Sequence, residues 1–440
     1  MRGRNVLRRG CVLPFRREPP SPWPALLTGA VVGATAGVLI SGNFFTEGKK
    51  IRKPITTDYH VGDGAFIRTM GQLLGPPLLD GNRVEALQNG AEIFPAMLQA
   101  IAAAECSICF ENFIYWKGRV AMQFAEALAE RARAGVKVHF LQDALGCDCH
   151  HGEEMDLMKE AGVQLHLYRF THVTRINQRT HRKLLIVDGK VGFTGGVGIA
   201  DKWDGHGDGP EHWRDSHYCL RGPAVAQMQQ AFMDNWIMAE GELLHGDEYF
   251  PELEVVGDDM CQIFKSSADE GSDSARIMVI VSIAAAQHHV RIGNAYFIPD
   301  DLTIQTLVDA RKRGVEVEII VPGERIDQPW VRWLSRARWK PLLEAGVRIY
   351  EFQPTNFHCK YLMADSCWVS VGSTNLDNRS LRLNEECNLN VLDKEFAAEH
   401  LQIFENDKAQ SREVTLSEWR QRPLAEKLAG NAARLLRGQM

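Results

Sequence analysis

The stretch His181-Arg182-Lys183-Leu184-Leu185-Ile186-Val187-Asp188 returns later in the chain as His358-Cys359-Lys360-Tyr361-Leu362-Met363-Ala364-Asp365. Both have the form His-x-Lys-x4-Asp. Seven residues past each Asp comes a turn of small residues, Gly195-Gly196-Val197-Gly198 in one copy and Gly372-Ser373-Thr374-Asn375 in the other. On a strand, residues two apart point to the same face, so each imidazole converges with its ammonium. That pair suits a phosphate: Lys supplies a compact positive charge, and imidazole can attack phosphorus or carry a proton near neutral pH. A single copy could be a solvated His and Lys on an edge strand. With Lys and Asp each near one residue in twenty, the 15 His give only about 0.04 accidental matches, so two in register are not chance.

The flanks repeat as well. Ile101-Ala102-Ala103-Ala104-Glu105 is echoed by Ile283-Ala284-Ala285-Ala286-Gln287, and Asn112 by Asn294 at the same offset. Ala134-Gly135-Val136-Lys137-Val138 matches Arg313-Gly314-Val315-Glu316-Val317, and Glu160-Ala161-Gly162-Val163 matches Glu344-Ala345-Gly346-Val347. In each, a helix ends in Gly before a strand. Each unit reads strand, helix, strand, helix, strand, which predicts an α/β sandwich duplicated once.

Ahead of the repeat, residues 1–24 form a basic leader with Arg2, Arg4, Arg8, Arg9, Arg16 and Arg17 against Glu18. Residues 25–45 carry no charge and, as a helix rising 1.5 Å per residue, would reach about 31 Å, one bilayer crossing. Gly29, Gly33 and Gly37 share one helical face, a pattern that would let two such helices associate. We expect an uncleaved anchor in the cell (inner) membrane, the rival being a signal peptide cut near Ala34-Thr35-Ala36. Leader charge places the N-terminus inside and the body outside, whereas the cysteines favour a reducing compartment. We expect residues 46–84 to be a connection, 85–255 and 256–410 the two halves, and 411–440 a basic C-terminal helix.

The 440 residues are 45% hydrophobic and 24% charged, which excludes a disordered chain. A net charge of −6 weighs against a nucleic-acid partner, since counterion-driven binding needs a positive excess. Ten cysteines are too few for a disulfide scaffold. Cys106/Cys109 and Cys147-Asp148-Cys149-His150-His151 lack the matched pairs of a zinc site, and no metal or cofactor is expected. Trp330, Trp333 and Trp339 interleave with Arg332, Arg336, Arg338 and Lys340, either a basic helix at a membrane surface or one that packs its Trp inward.

The doubled motif resembles the phospholipase D superfamily, and within it bacterial cardiolipin synthases and related phosphatidyltransferases. The likeness spans about residues 85–410. It extends through Gly195-Gly196-Val197-Gly198-Ile199-Ala200-Asp201-Lys202-Trp203, Trp213-Arg214-Asp215-Ser216-His217, Pro322-Gly323-Glu324-Arg325-Ile326-Asp327, and Gly372-Ser373 through Asn384-Glu385-Glu386. The resemblance implies two pseudo-twofold-related αβα sandwich domains packed face to face behind an N-terminal membrane helix. It implies phosphatidyl transfer through a phosphohistidine, from phospholipid to phosphatidylglycerol, with hydrolysis to phosphatidic acid or a phosphodiesterase activity as alternatives.

By that resemblance His181 is the nucleophile and His358 the acid/base, although the two motifs are too symmetric for their own residues to assign the roles. The same source has Lys183, Lys360, Ser373 and Asn375 hold the phosphate beside the Gly195-Gly196 turn, and Glu386 and Asp215 bond the distal imidazole nitrogens. Asp215 could instead pair with Arg214. Asp188 and Asp365 complete the catalytic motifs, but on an uninterrupted strand they would face away from the phosphate and serve as supports.

Overall fold

The computed structural model describes residues 51, 53–147, 152–168, 178–267, 273–424 and 426–427. The leader, the uncharged run 25–45 with Gly29, Gly33 and Gly37, and most of the Cys147–His151 cluster lie outside them. Among the described residues no helix is long and apolar enough to cross a membrane.

The first half runs α1 (Gly64–Leu74), β1 (Leu79–Gln88), α2 (Asn89–Ala102), β2 (Ser107–Asn112), α3 (Arg119–Arg133), β3 (Lys137–Asp143), α4 (Glu153–Glu160) and β4 (Gln164–Tyr168). It then continues through β5 (Leu184–Val187), β6 (Val191–Gly195), β7 (Ser216–Arg221) and α5 (Val225–Glu240). The second runs β8 (Asp259–Ser266), α6 (Ser274–Ala285), β9 (His289–Asn294), α7 (Asp301–Lys312), β10 (Glu316–Pro322), α8 (Pro329–Arg338), α9 (Lys340–Glu344) and β11 (Arg348–Phe352). It ends with β12 (Lys360–Ala364), β13 (Trp368–Gly372), α10 (Asn378–Arg382), β14 (Glu386–Leu392), α11 (Lys394–Ala409), β15 (Ser411–Glu413) and α12 (Leu416–Arg420).

Strand order exposes the duplication: β1-β7-β6-β5-β2-β3-β4 in one half and β8-β14-β13-β12-β9-β10-β11 in the other, with β15 added at the second edge. In each, three parallel strands come from the strand–helix repeat, and the antiparallel strands are built on the motif hairpin. The motif strands are apolar on both faces, as strands covered on both sides must be. Leu184 and Ile186 face inward while Leu185 and Val187 join the first half's outer core. Tyr361 and Met363 face inward while Leu362 and Ala364 join the second half's outer core.

Inward-facing side chains of both halves, with α5 and α11, form one shared core. The halves are also joined edge to edge, because β1 pairs antiparallel with β8 and makes the two sheets continuous. Face-to-face packing alone does not describe that joint.

Two expected segments differ. Within residues 46–84, α1 is no connection: Phe66, Met70 and Leu74, four apart on one helical face, pack into the second half's outer core, and β1 already begins at Leu79. The terminal stretch 411–440 is not one helix at its start, because β15 first pairs along the open edge of β11. The short α12 then starts at a Thr415/Glu418 capping box and buries Trp419. Trp339, the C-cap of α8, is fully buried, as the inward-packing reading expects, whereas Trp330 and Trp333 on the helix are exposed. The α8 arginines are held by Glu351, Glu426 and Asp301.

Two buried ion pairs stitch the halves. Arg214, between β6 and β7, reaches Asp407 on α11 with Nε–Oδ1 at 2.8 Å and Nη2–Oδ2 at 2.9 Å. Arg182 meets Glu385 with Nη2–Oε2 at 3.0 Å. Breaking such a pair strands a charge in the interior. Asp407→Ala should therefore lower unfolding free energy by about 3–5 kcal/mol, read from the urea midpoint.

Candidate active site

Each motif His stands on extended chain just before its hairpin, in backbone register with the other half. His181 N–H donates to the Glu385 carbonyl at 2.9 Å, and His358 N–H to the Arg214 carbonyl at 2.7 Å. That register sets the carboxylates opposite the rings. His181 Nδ1 lies 3.0 Å from Glu386 Oε2, and His358 Nδ1 lies 2.7 Å from Asp215 Oδ2. Each half thus supplies the imidazole for one pair and the carboxylate for the other. With Nδ1 taken, Nε2 is the ring nitrogen left for chemistry.

Arg214 is bound to Asp407 and touches Asp215 only at its backbone oxygen. The Asp215 carboxylate is therefore committed to His358 and to the Trp203 indole N–H at 2.9 Å. Its counterpart Glu386 takes the Ser373 hydroxyl, which in turn accepts the Cys387 N–H at 3.0 Å. Ser373, expected on the phosphate, is thus a buttress of the carboxylate. Gly196 occupies the matching place in the first half because a Cβ there would sit 2.1 Å from Asp215 Oδ1, and the larger Trp203 makes the buttress from elsewhere. Gly195 is packed the same way against His217.

Both lysines fold back on their own motifs: Lys183 Nζ donates to the His181 carbonyl at 2.8 Å, and Lys360 donates to that of His358. Burial pulls the Lys183 ammonium down to about 7 despite Glu386, with Lys360 adding to the fall, and lowers Lys360 as well. Burial likewise holds His181 neutral, at about 4 in spite of Glu386, and lowers His358. Burial alone would raise the two carboxyls, yet His181 and Lys183 keep Glu386 below its usual range, and His358 and Lys360 do so for Asp215. Beside neutral imidazoles and ionised carboxylates, the two lysines are held partly against their charged forms by burial, and an entering anion would favour those forms.

Asn375 is buried and its side-chain oxygen is unpartnered among the described residues; only its amide NH2, not that oxygen, can donate to a phosphate. Asp188 and Asp365 do not join the constellation. Each ends its strand in the left-handed region, with φ of 52° and 54°, which swings the carboxylate back onto a neighbouring strand start. Asp188 accepts from the backbone N–H groups of Glu105, Cys106 and Ser107, and Asp365 from those of Gln287, His288 and His289. Cys359 faces the shared core, and burial raises its thiol to about 12. Among the described residues no cluster could hold a metal ion.

Sequence reasoning did not assign roles to the aromatic walls. The Phe113 ring meets His181 edge-on at 5.2 Å, and Trp203 and Trp213 lie 5.3 and 5.7 Å from His358. His217 is buried beside Asp215 and Lys183 with neither ring nitrogen bonded among the described residues, and burial lowers it to about 3. The tryptophans stood in the recognised pattern, but spacing does not reveal which ring reaches which imidazole.

Residues 97–203 and 279–408 match the family model described as cardiolipin synthase, PLD-like domain. Cardiolipin synthase A of Pseudomonas fluorescens is 33% identical over 84% of this chain and 78% of its own. Cardiolipin synthase 2 of Bacillus anthracis is 32% identical over 80% and 69%. The crystal structure of phosphatidylserine synthase from Haemophilus influenzae superposes with TM-score 0.65 at 13% identity, covering 85% of this chain and 98% of that one, a likeness of fold.

Because Asp215 favours the charged His358, Asp215→Asn should lower the His358 imidazole midpoint further, and Gly196→Ala should do so by displacing the carboxylate. Imidazole resonances followed by NMR across pH would check both.

Proposed function

The chain belongs to the family of cardiolipin synthases with PLD-like domains, and on that footing we propose that it transfers a phosphatidyl group between two phosphatidylglycerol molecules, forming cardiolipin and releasing glycerol. The observation that carries the reading is the pair of crossed imidazole–carboxylate couples, each with a lysine, around one anion-ready centre.

In the first step His181 Nε2 attacks phosphorus and the bond to the headgroup oxygen breaks. His358 enters this step as the imidazolium that Asp215 favours, gives that oxygen its Nε2 proton and becomes neutral, so glycerol leaves neutral. In the second step His358 takes the proton of an incoming hydroxyl, whose oxygen displaces His181 from phosphorus. Lys183, Lys360 and Asn375 hold the non-bridging oxygens and offset the charge that builds in the transition state. Glu386 and Asp215 fix the protonated Nδ1 and stabilise each imidazolium as it forms. The order of roles follows the family resemblance; each carboxylate has its own support, Ser373 and Lys183 for Glu386, Trp203 and Lys360 for Asp215. Asp188 and Asp365 act as strand caps, and no metal is called for.

The same proposal puts the enzyme at the cell membrane, with residues 25–45 as anchor. It is supported by their uncharged length and by the exposed Trp330 and Trp333 on α8.

Purified enzyme with phosphatidylglycerol vesicles should yield cardiolipin and glycerol in equal amounts. Phosphatidic acid alone would mean a hydrolase, and neither product would refute the reading. His181→Ala and His358→Ala should each lower turnover by at least about 10³-fold, and a variant retaining full activity would contradict the mechanism. Since the lipid anion binds protonated Lys183, whose folded value is about 7, KM should climb above pH 7 by up to about tenfold per unit. Steady-state kinetics from pH 6 to 9 measure this.

A further inference from the structure

The two motif lysines stand in matching rows but have different neighbours. Leu184 faces Thr194 across β5 and β6, and Gly195 faces His217 across β6 and β7, so one residue back from Leu184 the order across the strands is Lys183, Gly195, His217. Residues opposed in this way share one face of a sheet. In the second half Tyr361 faces Val371 and Gly372 faces Asn388, which gives the row Lys360, Gly372, Asn388. The central glycine of each row leaves the space over it open, and the residue beyond turns a polar atom into that space. A Cβ at Gly195 would lie 2.6 Å from His217 Nδ1, and one at Gly372 would lie 2.7 Å from Asn388 Oδ1.

These two polar atoms are treated differently. Asn388 Oδ1 accepts the Thr374 hydroxyl at 2.7 Å. The first half has Val197 at that place of the turn, which offers no hydroxyl, and His217 is buried with neither ring nitrogen bonded among the described residues. The lysines differ in the complementary sense. Lys360 Nζ reaches the His358 carbonyl and lies 3.0 Å from His358 Nδ1, whereas Lys183 Nζ donates to the His181 carbonyl at 2.8 Å and to no other atom among the described residues. An ammonium has three donors. One of those on Lys183 is used and one belongs to a non-bridging oxygen of the substrate, while the third has an idle acceptor beside it.

We propose that His217 is a positioning residue for Lys183: its Nδ1 accepts a hydrogen bond from the ammonium across Gly195, which keeps the first-motif cation charged and turned towards the phosphate. The proposal rests on the phosphatidyl-transfer reading and deepens it by naming what governs the charge on that lysine. An acceptor bonded to a charged donor favours the charged form. His217 can serve because burial holds its imidazole neutral, lowering it to about 3, so that it accepts rather than repels. The charged groups that face Lys183 are Glu386 on β14, Asp215 ahead of β7, Lys360 on β12 and Asp143 at the end of β3, with neutral His181 two residues back on its own chain. His217 is faced by Asp215 and Lys183. A substitution at His217 leaves all of these in place.

The test follows KM for phosphatidylglycerol vesicles from pH 5 to 9 with full-length enzyme in three forms. They are wild type, His217→Leu, which removes the acceptor, and His217→Asn, which puts an amide oxygen where Nδ1 stood, as Asn388 does in the other half. Losing a hydrogen bond to a charged group should lower the Lys183 midpoint by about one pH unit. The rise in KM of His217→Leu should therefore begin about one unit below that of wild type, reach about fivefold the wild-type value at pH 7, and converge with wild type near pH 5. His217→Asn should keep the wild-type profile. If the leucine variant does not fold, as judged by its urea midpoint, His217→Ala makes the same comparison. An unshifted midpoint in the leucine or alanine variant, a loss by the same factor at every pH, or a shift in His217→Asn as large as in His217→Leu would each overturn the proposal. Wild-type enzyme that forms no cardiolipin would instead refute the transfer reading itself.

Discussion

Neither half of this molecule owns a finished catalytic residue. The imidazole of His181 is oriented by Glu386 from the second half, and that of His358 by Asp215 from the first. A neutral histidine buried without such a partner would have no fixed tautomer, and its Nε2 would not be committed to carrying the lone pair. The shared core, the edge-to-edge pairing of β1 with β8, and the Arg214–Asp407 and Arg182–Glu385 pairs all keep two imidazole–carboxylate distances near 3 Å. The fold therefore serves a constraint of a few tenths of an ångström.

Burial is what makes that constraint chemically useful. Removing water depresses both lysines and both histidines, while the opposed charges keep the carboxylates ionised. An entering phosphodiester anion would favour the charged lysines that burial disfavours. The two halves reach this state by different atoms: a serine hydroxyl supports Glu386, an indole N–H supports the shorter Asp215, and Gly196 is small so that Asp215 can fit.

Much of this was legible in the amino-acid sequence because repetition is legible. The doubled His-x-Lys-x4-Asp and the matched helix–Gly–strand junctions announced two α/β units, and those junctions appear as α3–β3, α4–β4, α7–β10 and α9–β11. What escaped was whatever depends on a change of backbone direction or on distance in the chain. Alternation along a strand could say that Asp188 and Asp365 turn away from the phosphate, but only their left-handed φ shows them capping the strands beside them. Spacing left Arg214 next to Asp215 in sequence, and tertiary packing drew its guanidinium to Asp407 instead. Ser373 looked like a phosphate ligand until the neighbouring strand brought Glu386 and Cys387 to it. α1 escaped because its apolar stripe is short and its partner core lies in the far half.

The continuous sheet has a consequence for traffic through the site. Enzymes that bind between two lobes commonly open by swinging them apart. Here such a swing would have to break the β1–β8 ladder, the crossed backbone bridges at His181 and His358, and two buried ion pairs together. Each backbone bond contributes about 1 kcal/mol, so losing them together with the shared core opposes such a swing. Access to the buried imidazoles is therefore a matter of the segments around them and not of parting the two halves.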